Sequence, residues 1–128
     1  MRRCVAVWLL ATFAFSSSAA AGDCMWYDSG PQSVEGKISI LNAHDAADRP
    51  ETALILTPFS PTCLDAKNPD DKVLEVETVH VFSNDPKIHE RLQNYVGETI
   101  LVWGLPFPAH TAHHHAPIVM DVSKIDAD

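Results

Sequence analysis

The amino-terminal segment of this 128-residue chain has the pattern of a secretory signal peptide. Two arginines precede an apolar run from Val5 to Phe15, and three serines and several alanines follow it. The run is shorter than the roughly 20 apolar residues that a transmembrane helix needs. We therefore predict cleavage after Ala21, which gives a signal peptide at 1–21 and a single exported domain at 22–128 in the periplasm or the extracellular space.

Removal of such a leader restricts how the remaining chain can be stabilised. Cys4 leaves with the leader, so Cys24 and Cys63 are the cysteines that reach an oxidising compartment. We predict one disulfide between them. Closing this loop stabilises a fold by roughly 4 kcal/mol in the chain-entropy model. Thiolate ligation of a metal is the less favoured alternative, because the sequence has no Cys-x-x-Cys spacing.

The charge of the chain excludes one class of partner. Nine Lys and Arg residues stand against 17 Asp and Glu residues, and the formal net charge of −8 becomes −10 when Arg2 and Arg3 leave with the leader. A nucleic-acid binder needs a basic face that neutralises phosphates, so we expect no nucleic-acid partner. We also expect no membrane insertion, and a monomeric protein.

The hydrophobic pattern after the leader predicts five strands and one helix. Alternating or β-branched apolar runs predict strands at 33–42, 51–57, 73–82, 99–103 and 118–125. The predicted loops include 43–50, 64–72 and 104–117. After the third strand, Asp85 can cap a helix that starts at Pro86 and ends near Gly97.

The predicted element order, β-β-β-α-β-β, is that of the OB-fold. We therefore predict a mainly β chain that forms a small OB-fold-like five-stranded barrel with one helix. A flat sheet with one covering helix is the alternative. Curling the sheet is favoured because one helix covers only one face of five strands.

Four of the seven histidines lie just before the last predicted strand, at His110, His113, His114 and His115. We name residues 109–117 the histidine loop. Neutral imidazole is a good ligand for zinc, copper and nickel. The four histidines are therefore candidate metal ligands, and the side chains that could complete such a site are those of His80, Met120 and Asp121.

Other roles for the histidine loop stay open. The imidazoles can instead satisfy backbone groups and stiffen a long loop. They can also titrate as the pH falls, which would add positive charge to an acidic protein. Direct catalysis is the least favoured role, because no Ser or free Cys nucleophile has a recognisable setting. Trp26, Tyr27 and Trp103 similarly fit either a ligand platform or packing at the core or rim.

The histidine loop also carries a family resemblance. The string AHTAHHHAP resembles the Ala-His-Thr-Gly-His-His-His-Thr-Pro signature of a bacterial domain of unknown function, family 4431. Residues 61–65 resemble that family's Pro-x-Cys-Val-Asp segment, and VETVHVF, YVGETILVWG and APIVMDV follow the family's order. Ala112 and Ala116 stand where the family usually has Gly and Thr. The resemblance, which extends from about Val34 to Ile125, implies an exported protein of unsettled activity.

These observations favour an exported small binding module of undetermined ligand, with the histidine loop as a candidate site for zinc, copper or nickel. The second hypothesis is a cell-envelope structural or protein-interaction module in which the loop is only structural. The third is a metal-assisted hydrolase, since an open three-histidine site can activate water. An enzyme is the less favoured class, and no catalytic residue is assigned. The expected partner is a small ligand, a metal or an envelope protein.

Overall fold

The computed structural model describes residues 24–127, so the predicted leader at 1–21 lies outside the described residues. The strands are β1 (Met25–Trp26), β2 (Gln32–His44), β3 (Pro50–Pro58), β4 (Thr62–Asp65), β5 (Val73–Val76), β6 (Val79–Phe82), β7 (Thr99–Pro108) and β8 (Ile118–Asp126). One α-helix, α1 (Pro86–Asn94), precedes β7, and a 3₁₀ helix spans Pro69–Asp71. Within residues 24–127 no helix combines the length and the apolarity needed to cross a bilayer.

Five strands close into a barrel with the hydrogen-bonded order β2-β3-β6-β8-β7. β7 pairs back onto β2, which completes the ring, and β6 and β8 form its parallel pair. In chain order the barrel elements are three strands, the helix and two strands. For residues 24–127, the prediction of a mainly β chain with one α-helix is confirmed, and the flat-sheet alternative is wrong.

The barrel core follows from alternation along the strands. In β2, Val34 and Ile38 are buried, whereas Glu35 and Lys37 between them are exposed. Neighbouring side chains on a strand point to opposite faces, so such a strand lines the core with one face only. The most deeply buried core side chains include Ile38, Leu56, Val79, Val81, Val102, Ile118 and Met120.

The prediction of one strand over 73–82 is wrong, because the chain forms two short strands there. β5 ends at Val76, and β6 begins at Val79 after a break at Glu77 and Thr78. Val76 and Val79 are an odd number of residues apart, so one continuous strand would place them on opposite faces. The break lets Val79 and Val81 enter the barrel core while β5 joins a second sheet.

The prediction of a loop over 104–117 is also wrong in its first part, because β7 continues to Pro108. The ladder between β7 and β8 shifts register between Trp103 and Gly104, and β7 then continues along β8. Its pairing with β2 ends at Gly104. Prolines are tolerated on such an edge because the missing N–H is not needed there. The connection between β7 and β8 is therefore shorter than predicted, and it consists of the histidine loop alone.

A small sheet of order β1-β4-β5 accompanies the barrel. The sequence interpretation missed β1 and β4, and it treated 64–72 as a loop. The predicted Cys24–Cys63 disulfide is confirmed, and it links the residue before β1 to β4. β1 pairs in parallel with β4, so the disulfide and this ladder together hold the start of the described chain.

The helix begins as predicted, and it ends slightly earlier. The Asp85 carboxylate accepts a hydrogen bond from the Lys87 amide at 2.9 Å, and Pro86 occupies the first turn. α1 ends at Asn94. Gly97 follows with a φ of 92°, and its amide donates to the Ile38 carbonyl of β2 at 2.8 Å. This bond returns the chain from the helix to the barrel.

Candidate functional site

The histidine loop lies over the outer face of the barrel. His80 alternates with the inward-facing Val79 and Val81, so its ring is on the outer side of β6. The strand register places His80 beside Ile55 of β3 and Val119 of β8. A separate buried cluster of Ala53, Ile55 and Ala116 packs the end of the loop onto β3.

Glu51, at the start of β3, connects two histidines of the loop. One carboxylate oxygen, Oε2, lies 2.7 Å from Nδ1 of His113, and the other, Oε1, lies 2.6 Å from Nε2 of His115. A carboxylate only accepts, so both ring nitrogens donate. The side chain of His115 is 13% exposed and that of His113 is 65% exposed. We call Glu51, His113 and His115 the Glu-His cluster; the imidazole of His115 is covered and that of His113 is open to solvent.

His80 supports the same cluster from the barrel wall. Its Nδ1 accepts a hydrogen bond from the His115 amide at 3.1 Å, and its ring stacks on the His115 ring with centroids 5.9 Å apart. Burial of the ring, followed by the nearby His115 and His114, lowers the pKa of His80 to about 4. At neutral pH His80 is a neutral hydrogen-bond acceptor.

His110 and His114 form a second group, which faces Phe107. Their ring centroids are 4.8 Å apart, and Phe107 lies 5.5 Å from His110 and 5.4 Å from His114. Nδ1 of His114 accepts from the amides of His110 and Thr111 at 3.1 and 3.3 Å. Nδ1 of His110 donates to the Pro108 carbonyl at 3.2 Å. Both rings therefore hold the backbone of the loop's first turn.

The electrostatics of the site favour the ionised carboxylates of Glu51 and Asp45 and the neutral rings of His80 and His114. Hydrogen bonds from His113 and His115 lower the pKa of Glu51. Burial, followed by the charges of the neighbouring histidines, lowers the pKa of His114. The Arg49 amide lowers the pKa of Asp45, and His113 contributes to that shift.

The loop at 45–49, which joins β2 to β3, is held next to this cluster. The Asp45 carboxylate accepts from the amides of Ala47 and Arg49, both at 2.9 Å, and pairs with the Arg49 guanidinium at 2.8 Å. Since β3 begins at Pro50, this loop fixes the backbone that carries Glu51. The turn therefore positions the carboxylate that contacts the histidines.

The four candidate histidines are thus separated into two pairs, His113 with His115 and His110 with His114. Of the side chains considered for completing a metal site, His80 touches the cluster. Met120 is buried in the barrel core, and Asp121 accepts hydrogen bonds from Asn84. Within residues 24–127 no three His, Cys, Asp or Glu side chains stand in an arrangement that holds a metal ion as it is.

Glu51 is the site residue that sequence reasoning missed. It precedes His113 by 62 positions, and an isolated Glu at the start of a strand carries no local signal. Closure of the barrel brings the start of β3 next to the histidine loop. A search for carboxylates at the strand end opposite the loop would have found it.

Comparisons with known proteins identify the carboxyl-terminal part of the chain. Residues 78–126 match the family model described as "Domain of unknown function (DUF4431)". The matched segment contains β6, α1, β7, the histidine loop and β8. No curated protein and no solved structure matches the chain.

Proposed function

We propose that this chain, whose segment 78–126 is identified with domain-of-unknown-function family 4431, is an exported OB-like binding module in which Glu51, His113 and His115 bind a divalent transition-metal ion such as zinc. A metal ion is the class of ligand that these three side chains favour. Support comes from the strand order, the disulfide and the chemistry of the three side chains.

The strand order supports the OB-like assignment. If the barrel strands β2, β3, β6, β7 and β8 are numbered 1 to 5 along the chain, they pair in the order 1-2-3-5-4. In this numbering strands 3 and 5 are parallel, and the helix lies between strands 3 and 4. OB-folds bind ligands at the face of strands 2 and 3 and at the loops after strands 1 and 4. Here these loops are 45–49 and the histidine loop.

Export is supported by the cysteine chemistry. Disulfides persist in oxidising compartments and are rare in the cytosol. The Cys24–Cys63 bond therefore agrees with the signal peptide that we predict at 1–21. We propose a periplasmic or secreted protein on these grounds.

The contact of one carboxylate with two imidazoles carries the metal proposal. Two histidines and one glutamate are the protein ligands of many catalytic zinc sites, which leave further positions open. His113 and His115 present different ring nitrogens, Nδ1 and Nε2, to the same carboxylate. Both nitrogens donate a proton to Glu51, so metal binding requires each ring to release that proton or to carry it on its other nitrogen.

A structural role for the loop is the second candidate, and a specific observation favours it. The rings of His80, His110 and His114 already bond to backbone groups, which fits a stiffened loop. On this view the Glu51 contacts only fasten the loop to β3. The two candidates differ in whether a metal replaces those contacts.

Calorimetric titration of zinc chloride into the demetallated, untagged protein (22–128) tests the proposal. We expect one zinc per chain, with a Kd below roughly 100 µM. The variants Glu51→Gln and His113→Ala each remove one ligand and should weaken binding at least tenfold. Copper and nickel, titrated in the same way, establish which metal is preferred.

Two control variants separate the proposed ligands from the other histidines. His89→Ala, on α1, should leave zinc binding unchanged. The double variant His110→Ala/His114→Ala should retain stoichiometric binding, because these rings belong to the other pair. Zinc binding that survives Glu51→Gln, or an absence of binding in the parent protein, would favour the structural role instead.

A further inference from the structure

A separate pocket lies next to His110, near the start of the histidine loop. It has a volume of about 290 Å³. Its lining combines the turn after β1 (Tyr27 and Asp28), the end of β7 (Leu105, Pro106 and Phe107) and His110. The pocket contains neither Glu51 nor His113 nor His115, so it is independent of the proposed metal site.

The walls of this pocket are fixed by the fold. The Tyr27 amide donates to the Asp65 carbonyl at 2.9 Å, and the Cys24–Cys63 disulfide anchors the same segment. Asp28 has a φ of 60°, which an aspartate adopts more readily than most residues. Phe107 is held by ring contacts with Phe82, His110 and His114. The cavity therefore exists before any ligand enters it.

The lining is apolar on most sides, and its polar groups favour a ligand that donates hydrogen bonds. Tyr27, Leu105, Pro106 and Phe107 offer ring and aliphatic surface. Asp28 is exposed and supplies a carboxylate, which only accepts hydrogen bonds. His110 donates through Nδ1 to the Pro108 carbonyl, so Nε2 of the neutral ring is an acceptor as well.

We propose that this pocket binds a small organic cation, namely a primary amine carried on an aromatic body. The aromatic body would contact Phe107, Tyr27 and Leu105, while the ammonium group donates to the Asp28 carboxylate and to Nε2 of His110. The formal net charge, which is −8 over the full sequence and −10 without Arg2 and Arg3, attracts such a ligand and repels anions. The volume corresponds to about ten water molecules of liquid, which suits a single-ring amine.

Phenethylamine is the probe for this proposal, and the protein (22–128) is titrated in its oxidised form. Amide chemical shifts should change in a saturable manner at Tyr27, Asp28 and Phe107. Asp28→Asn keeps the size and the left-handed backbone but removes the charge. We expect it to weaken binding about two- to fivefold, within the range of an exposed ion pair. Leu105→Ser removes exposed apolar wall and should weaken binding through a different contact.

Matched controls make the test specific. Asp48→Asn changes an aspartate with the same φ of 60° on the 45–49 loop, and it should leave binding unchanged. 3-Phenylpropanoate has the same ring with an anionic end, and ethylamine has the charge without the ring. Both should bind much more weakly than phenethylamine.

The proposal is overturned if phenethylamine causes no saturable shifts, or if the shifts map to another surface. It is also overturned if 3-phenylpropanoate binds as tightly as phenethylamine, or if neither Asp28→Asn nor Leu105→Ser weakens binding. Failure of the zinc titration leaves these outcomes unaffected, because the two sites share no proposed ligand residue.

Discussion

At the residue scale, His80 shows how burial decides the state of an ionisable group. The residue is 9% exposed, although it lies on the outer side of the barrel, because the histidine loop covers it. Its Nδ1 must stay unprotonated to accept the His115 amide. A charged His80 would lose this hydrogen bond and stand beside two other imidazoles, so acid should loosen the loop.

We predict that the metal-free protein loses stability as the pH falls from about 6.5 to about 4. The unfolded chain binds a proton at His80 near its ordinary pKa of 6.5, whereas the folded protein does so only near 4. The lowered pKa of His114 acts in the same direction. Urea unfolding should show a free energy about 1–3 kcal/mol smaller at pH 5 than at pH 7.

The variant His80→Asn tests the origin of this pH dependence. The Asn side-chain oxygen can accept the His115 amide without titrating. The difference between the free energies of unfolding at pH 5 and pH 7 should shrink in this variant. An unchanged slope in His80→Asn would assign the effect to other groups.

At the scale of elements, the strands and the helix that could be predicted are those with a local sequence pattern. The barrel strands have alternating or β-branched runs, and α1 has a capping aspartate with a following proline. β1 and β4 have two and four residues, which is too short for periodicity to register. The extension of β7 through Pro106 and Pro108 depends on its lying at an edge, which only the assembled sheet reveals.

The candidate site was predictable to a similar degree. The cluster of four histidines is visible in the sequence, and its position between the last two strands is confirmed. Its division into two pairs depends on which backbone groups and which carboxylate each ring meets. Of these partners, His80 is already a candidate in the sequence, as a side chain that could complete a metal site. Glu51 is not, because it reaches the loop only through barrel closure and no spacing rule points to it.

The helix offers a clean test of an element's boundary. Asp85 caps α1 through the Lys87 amide, and an alanine there leaves that donor without its side-chain partner. We expect Asp85→Ala to lower the free energy of unfolding by about 1 kcal/mol, and Asp85→Ser to restore most of the loss. Urea denaturation at pH 7 measures both. Equal stability of the two variants would show that the cap contributes little.

At the scale of the whole molecule, the disulfide joins β4 of the small sheet to the start of the described chain. Cys24 and Cys63 are 39 positions apart, so their bond removes much freedom from the unfolded chain. We expect Cys24→Ser/Cys63→Ser to lower the free energy of unfolding by roughly 3–4 kcal/mol. Thermal unfolding with and without reductant measures this: reductant should destabilise the parent and leave the double variant unaffected.

The placement of β8 between β6 and β7 has a consequence for biogenesis. A nascent chain that still lacks β8 leaves one edge of β6 and one edge of β7 unpaired. Its core also lacks the side chains of Ile118, Met120 and Val122. Such an intermediate has an open barrel, with solvent-exposed apolar side chains and unpaired strand edges, and chains in this form aggregate readily. The barrel can therefore close only after β8 has been synthesised, and chaperones have their greatest opportunity to bind the chain until then.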